Sequence, residues 1–203
     1  MTPLEAALLD AREQDAPLRL LTFDREAVEG LDFSETEWGQ AVFRGCQFTA
    51  CDFSKAAFYD CVLDACQFTA CRFAASYWKN SRLNSCKADG ADLRRSRFKG
   101  CTLHETLLRY ANLTGSVWEK CTVTSCNLTE AAFSEARIQK TVFEKVALTG
   151  AELFRTSLKG MDLSSCTLDR ISLSETCAEL RGAKIDASQA AVVARILGIE
   201  VLL

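Results

Sequence analysis

The apolar positions of this chain recur every five residues. From Val28 the series runs Phe33, Trp38, Phe43, Phe48, Phe53, Phe58, Leu63, Phe68, Phe73 and Trp78, then continues in register through Leu128 and Leu173 to Ala178, so 31 successive fifth residues are apolar. Two residues before each of them, from Glu26 to Thr176, a second series is Ala, Cys, Ser or Thr at 26 positions, the exceptions being Glu26, Leu31, Val146, Met161 and Ile171. The remaining three residues of each five are mostly polar or charged. A period of five fits neither the 3.6 of a helix nor the 2 of a strand. The chain must therefore turn a corner in every repeat, with one large and one small side chain inward and three outward.

Near-ideal copies of the unit are Cys51-Asp52-Phe53, Ala91-Asp92-Leu93, Ala111-Asn112-Leu113 and Cys126-Asn127-Leu128. They resemble the pentapeptide-repeat family, whose motif is a small residue, Asn or Asp, Leu or Phe, then two variable residues; the resemblance covers about three quarters of the chain. It implies an all-β fold, a right-handed quadrilateral β-helix with four repeats per coil. Residues 20 apart would then stack at ~4.8 Å, giving roughly eight coils and a rod of about 37 Å. Trp38, Phe58, Trp78, Phe98 and Trp118 would share one column, where aromatic rings stack offset.

Both ends depart from the period. Thr2 is placed to cap a helix with Pro3 in its first turn and Glu5 near the positive end of its dipole, and Leu4, Leu8 and Ala11, or Leu4, Ala7 and Ala11, give it an apolar side. Asp15, Ala16 and Pro17 end it. Residues 1–22 thus read as a capping helix and lead-in that plugs an open coil end, 23–180 as the β-helix, and 181–203 as a closing repeat, helix and tail. After Ala178, Leu180 and Ile185 are displaced by two from the old register, which reads as a slipped last repeat. Ser188 is expected to cap a helix over Gln189–Leu197, with Gly198 as its left-handed stop. The apolar tail from Ile199 to Leu203 must cover the coil end or meet a second copy.

The 203 residues suit one domain, and the two prolines, Pro3 and Pro17, precede the repeats, where they spare the ladder its donors. No apolar run is long enough to span a bilayer and no basic-then-apolar leader begins the chain, so a cytoplasmic protein is expected. Ten of the eleven cysteines fall in the small inward series, and Cys177, off it, is the expected exposed thiol. With no CxxC pair and a single histidine, His104, the cysteines read as reduced packing residues; no metal, cofactor or catalytic residue is expected. The formal net charge of −3 is uneven. Residues 1–40 carry ten acids against three bases, whereas 79–109 carry eight bases, Lys79, Arg82, Lys87, Arg94, Arg95, Arg97, Lys99 and Arg109, against three acids. No aromatics interleave with this belt for base stacking, so direct nucleic-acid binding is not expected.

A narrower resemblance lies in Leu180-Arg181-Gly182-Ala183-Lys184-Ile185-Asp186, Gln189-Ala190 and Leu197-Gly198-Ile199, and in Cys86-Lys87-Ala88-Asp89-Gly90-Ala91-Asp92-Leu93. These segments are similar to the C-terminal ending and middle of the Qnr quinolone-resistance proteins. That resemblance implies a non-enzymatic rod, dimeric through Val192, Val193, Ile196, Leu197, Ile199 and Val201, that binds DNA gyrase or topoisomerase IV as a mimic of DNA and relieves quinolone inhibition. Candidate contact acids are Asp32, Glu35, Glu37, Asp52, Asp60 and Asp64, with Glu130, Glu135, Glu144 and Glu152 further along. Unlike that group, this chain has unbroken repeats and a basic belt. The alternative is an interaction rod for another partner, with the belt as its contact surface.

Overall fold

In the computed structural model, which describes residues 1–202, the five-residue period winds the chain into a parallel β-solenoid with a helix at each end. Residues 20 apart pair in register on four sides, as in Trp38 with Phe58, Phe43 with Leu63, Phe48 with Phe68 and Asp52 with Arg72. We number these sides as the first to fourth faces. The first and second are seven-stranded parallel sheets. The last coils pair through single bridges, as far as Asp162 with Lys184, so the strand ladder is shorter than the roughly eight coils expected.

The repeats before residue 161 make their corners with a residue in the left-handed region, among them Leu20 (φ +59), Arg25 (φ +54) and Glu35 (φ +59). That conformation costs a non-glycine residue about 1–2 kcal/mol. The corner N–H offsets it by donating to the next coil, Leu20 N to Gly39 O at 3.0 Å and Arg25 N to Arg44 O at 2.7 Å. The inward small series also does more than fill space. Thiols of Cys46, Cys66 and Cys86 donate to the carbonyls of Phe23, Phe43 and Leu63, each at 3.4 Å. All eleven cysteines are free and buried, and burial pushes the Cys61 and Cys126 thiols up to about 11, which keeps them protonated and unreactive.

The faces close in two ways. Where Asp or Asn precedes the central residue, its Oδ1 accepts the N–H two residues on, as in Asp32 to Ser34 (2.8 Å), Asp52 to Ser54 (2.9 Å) and Asn112 to Thr114 (3.1 Å), and a tight turn replaces the strand. The fourth face makes this turn from Asp32 to Glu152, also where Arg72, Ala132 or Glu152 stands in that place without such a bond. The third changes from strand to turn between Phe68 and Ala88, where Ala91 N donates to Ala88 O at 3.2 Å. At this switch a central alanine stands between Phe68 and Leu108, and an apolar void of about 20 Å³ opens beside Phe73, Phe98 and Leu103. Ala88→Leu is expected to fill it and raise stability by about 0.5–2 kcal/mol, measured by thermal melting. A lower midpoint would mean that the rings beside it cannot give way.

Helix α1 spans Pro3–Glu13, capped as expected by Thr2, with Glu5 completing a capping box. Leu4 and Leu8 are buried and Ala7 and Ala11 pack partly against the core, while Glu26 Oε2 accepts the Leu4 N–H at 2.9 Å and ties the helix to the first coil.

The C-terminal end corrects four expectations. Ala178 is exposed rather than inward, and Cys177 is buried rather than exposed. The reason is an earlier break in register: Leu153 N still reaches Ser172 O, but Leu158 N reaches Glu179 O, so two extra residues enter between them. Cys177, at φ +47, and a short 3-10 helix over Ala178–Leu180 absorb them. Leu180 and Ile185 then pack partly against the core, in keeping with a slipped closing repeat. Helix α2 spans Ala187–Ile196, not 189–197, and its cap is Asp186, not Ser188. Only Asp186 has Gln189 three residues on to return the bond to its own N–H, at 2.8 Å. Gly198, at φ +76, stops the helix as expected.

Candidate interaction surfaces

A solenoid of this kind offers faces and ends. Among the described residues no three His, Cys, Asp or Glu side chains gather as metal ligands. No helix of the described residues is long and apolar enough to cross a membrane.

The ten candidate acids are spread over all four faces. Asp32, Glu35, Asp52, Glu135 and Glu152 lie on the fourth, Glu37 and Asp60 on the first, Asp64 and Glu144 on the second, and Glu130 on the third. Half of them are spent on a base close by in the stack: Asp32 with Arg12 (3.1 Å), Glu35 with Lys55 (2.7 Å), Glu37 with Arg19 (2.8 Å), Asp52 with Arg72 (2.6 Å) and Glu135 with Arg155 (3.3 Å). Asp32 and Asp52 also hold turns. The Ser34 hydroxyl and N–H keep the Asp32 carboxyl below its ordinary range. At Asp52 burial pushes the other way, but Ser54 and Arg72 together prevail and lower it. Asp60, Asp64, Glu130, Glu144 and Glu152 are exposed without an ion pair among the described residues, Asp60 accepting only from Asn80 Nδ2 at 3.2 Å.

The basic belt is likewise divided. Lys79, Arg97 and Lys99 project from the first face, Arg82 from the second, Lys87 and Arg109 from the third, and Arg94 and Arg95 from the fourth. Arg94 is held by Asp92 and Arg109 by Asp89. What sequence reasoning missed is that Lys120, Arg137, Lys140 and Lys159, outside the belt, fall on the first face with Lys79, Arg97 and Lys99. The signal was available in the 20-residue spacing, which joins Lys79 to Lys99 and Lys120 to Lys140.

Helix α2 closes the far end. Its buried Gln189 donates through Nε2 to Leu163 O (2.8 Å) and Cys166 O (2.6 Å), carbonyls that the missing next coil would have used. This leaves the other side of the helix outward. Of the six residues expected at a dimer contact, Ile196, Leu197 and Ile199 are exposed, and Val192, Val193 and Val201 are half-buried. Leu202 beside them is 86% exposed.

This geometry agrees with comparisons to known proteins. A family model described as "Pentapeptide repeat region" matches residues 31–113, and one described as "Pentapeptide repeats (8 copies)" matches 106–144 and 133–170. The chain belongs to the pentapeptide-repeat family. Among curated proteins none matches it. Among solved structures it is similar to a trypsin-treated variant of QnrB1, a plasmid-mediated fluoroquinolone resistance protein, at 24% identity and a TM-score of 0.57, over 92% of this chain and 100% of that one. A second trypsin-treated QnrB1 variant matches at 23% identity and a TM-score of 0.50, over 92% and 98%. HetL, a pentapeptide-repeat protein from the cyanobacterium Nostoc, matches at 16% identity and a TM-score of 0.36, over 90% and 96%.

Proposed function

We propose that this chain is a non-enzymatic, cytoplasmic rod that pairs end to end through α2 and its tail and binds a type II topoisomerase, DNA gyrase or topoisomerase IV, protecting it from quinolones. The observation that supports this reading is the likeness in fold to QnrB1, over 92% of this chain and all of that one. The outward apolar edge of α2 supports the pairing, since Ile196, Leu197, Ile199 and Leu202 together expose more apolar surface than single scattered residues would. As a stand-in for DNA the rod would rely on its shape and on the acids left without an ion pair, Asp60, Asp64, Glu130, Glu144 and Glu152, rather than on a continuous acidic face.

In a supercoiling assay with gyrase and ciprofloxacin, adding the protein is expected to restore activity. No rescue at any concentration would discard the topoisomerase and leave the interaction rod for another partner. Ile196→Asp is expected to yield monomers in sedimentation, because a two-fold contact would bury the new charge twice. A variant that still sediments as a dimer would remove α2 from the interface.

A further inference from the structure

We propose that the first face, from Lys79 to Lys159, is a docking surface for the phosphate backbone of duplex DNA. In-register pairing sets Arg97 and Arg137 two coils apart in one column and Lys79 beside Lys99 in another, while Lys120 and Lys140 follow the adjoining corner. Lys159 ends the stripe, and all seven bases are exposed. The one acid projecting from this stretch is Glu119, which Lys99 and Lys120 share at 3.7 and 3.9 Å. Elsewhere on the rod 26 acids outnumber 17 bases; here the bases outnumber the acid seven to one.

The chemistry of the stripe selects its partner. Four coil spacings of ~4.8 Å make it roughly 19 Å long, a length over which a duplex carries about eleven phosphate charges. An acidic protein would need apolar or aromatic anchors at the centre of its contact. Between the bases stand only Gly100, Val117 and other small or polar groups. A single strand would need aromatic platforms along the stripe, and Tyr77 and Tyr59 stand together at one end only, packed edge to face at 5.7 Å. A rigid, linear run of bases with neither device meets the needs of non-specific duplex binding, which is almost wholly electrostatic. In the N-terminal coils of the same face Glu37 is paired with Arg19 and Asp60 is an exposed acid, so the run of bases begins at Lys79. The expectation against nucleic acid came from the lack of aromatics in the belt, which base stacking on a single strand needs and backbone contact with a duplex does not.

Fluorescence anisotropy with a labelled mixed-sequence duplex of about 20 base pairs tests this on the full chain, with binding expected to weaken roughly 100-fold between about 50 and about 200 mM salt. The triple variant Arg97→Glu, Arg137→Glu, Lys140→Glu is expected to bind at least about 10-fold more weakly at the lower salt and to respond less steeply to salt. The variant Arg82→Glu, Lys87→Glu, Arg170→Glu makes the same change in net charge on the second and third faces and is expected to retain affinity. Circular dichroism of each variant establishes that it is folded. No binding by the native chain at the lower salt, an equal loss in the control variant, or displacement of the duplex by polyglutamate at equal charge would overturn the proposal. The assay contains no topoisomerase, so its outcome is separate from that of the protection assay.

Discussion

Trp118→Ala is expected to lower stability by about 3–5 kcal/mol, the usual loss for a large aromatic ring removed from a packed core. Trp118 is fully buried, its ring stacks on Phe98 at 4.2 Å, and its Nε1 donates to Ser116 Oγ at 2.9 Å. The same bond recurs from Trp38 to Thr36 and from Trp78 to Ser76, which explains how an indole is tolerated at a central position: the small residue two places earlier accepts its proton. Trp118→Phe keeps a ring but loses that bond and part of the indole's packing, so it should cost about 1–2 kcal/mol. Because each coil touches only its neighbours, the alanine variant should also split the melt, with the coils on either side of position 118 unfolding separately and protease cutting between them. A single transition at the native midpoint would show that the column does not bear the load assigned to it.

The coiled architecture was legible because one rule repeats. A large inward residue every fifth place and a small one two before it fix the corner, the pairing of residues 20 apart and the aromatic column. The two forms of side were only partly written in the chain: Asp or Asn before the centre marks a turn, as at Asp52 and Asn112, but Arg72, Leu107 and Ala132 precede the same turn without that acceptor. The C-terminal corrections have a different origin. Ser174-Glu175-Thr176-Cys177-Ala178 holds inward-type residues at every expected place, so periodicity alone could not show that two residues are in excess. The deciding group is Glu179, whose role depends on donors brought to it by the preceding coil.

The surfaces were less legible than the core, and the reason is geometric. Charge counted along the chain mixes four directions, since successive repeats face successive sides. Arg94 and Arg97 are neighbours in the belt yet project from adjoining faces, whereas Arg97 and Arg137, 40 residues apart, share a column. Acids counted as free candidates, such as Glu35 and Asp52, turn out to sit one coil from a base.

Removing the Glu179 carboxylate should free the C-terminal end of the rod. The side chain is 4% exposed, and it accepts from Arg155 N (2.9 Å), Ser174 N (3.2 Å) and Ser174 Oγ (2.8 Å), stitching the slipped coil to the one before it. Glu179→Ala leaves those donors without a partner and should cost about 2–4 kcal/mol, confined to the last coil and α2. Hydrogen exchange should quicken at Leu158 and Leu180 while Leu103 stays protected. Burial alone would raise this carboxyl, but the donors around it, Glu179's own N–H and those of Arg155 and Ser174, outweigh that and hold it below the ordinary 4.5. A group lowered on folding contributes fully above its unfolded value and loses that contribution as pH falls through the folded one. The gap between native chain and variant should therefore be widest near about pH 6 and narrow toward about pH 3. If the gap stayed constant across that range, the carboxylate's charge would have no part in holding the end closed, and the shape of the side chain alone would have to account for it.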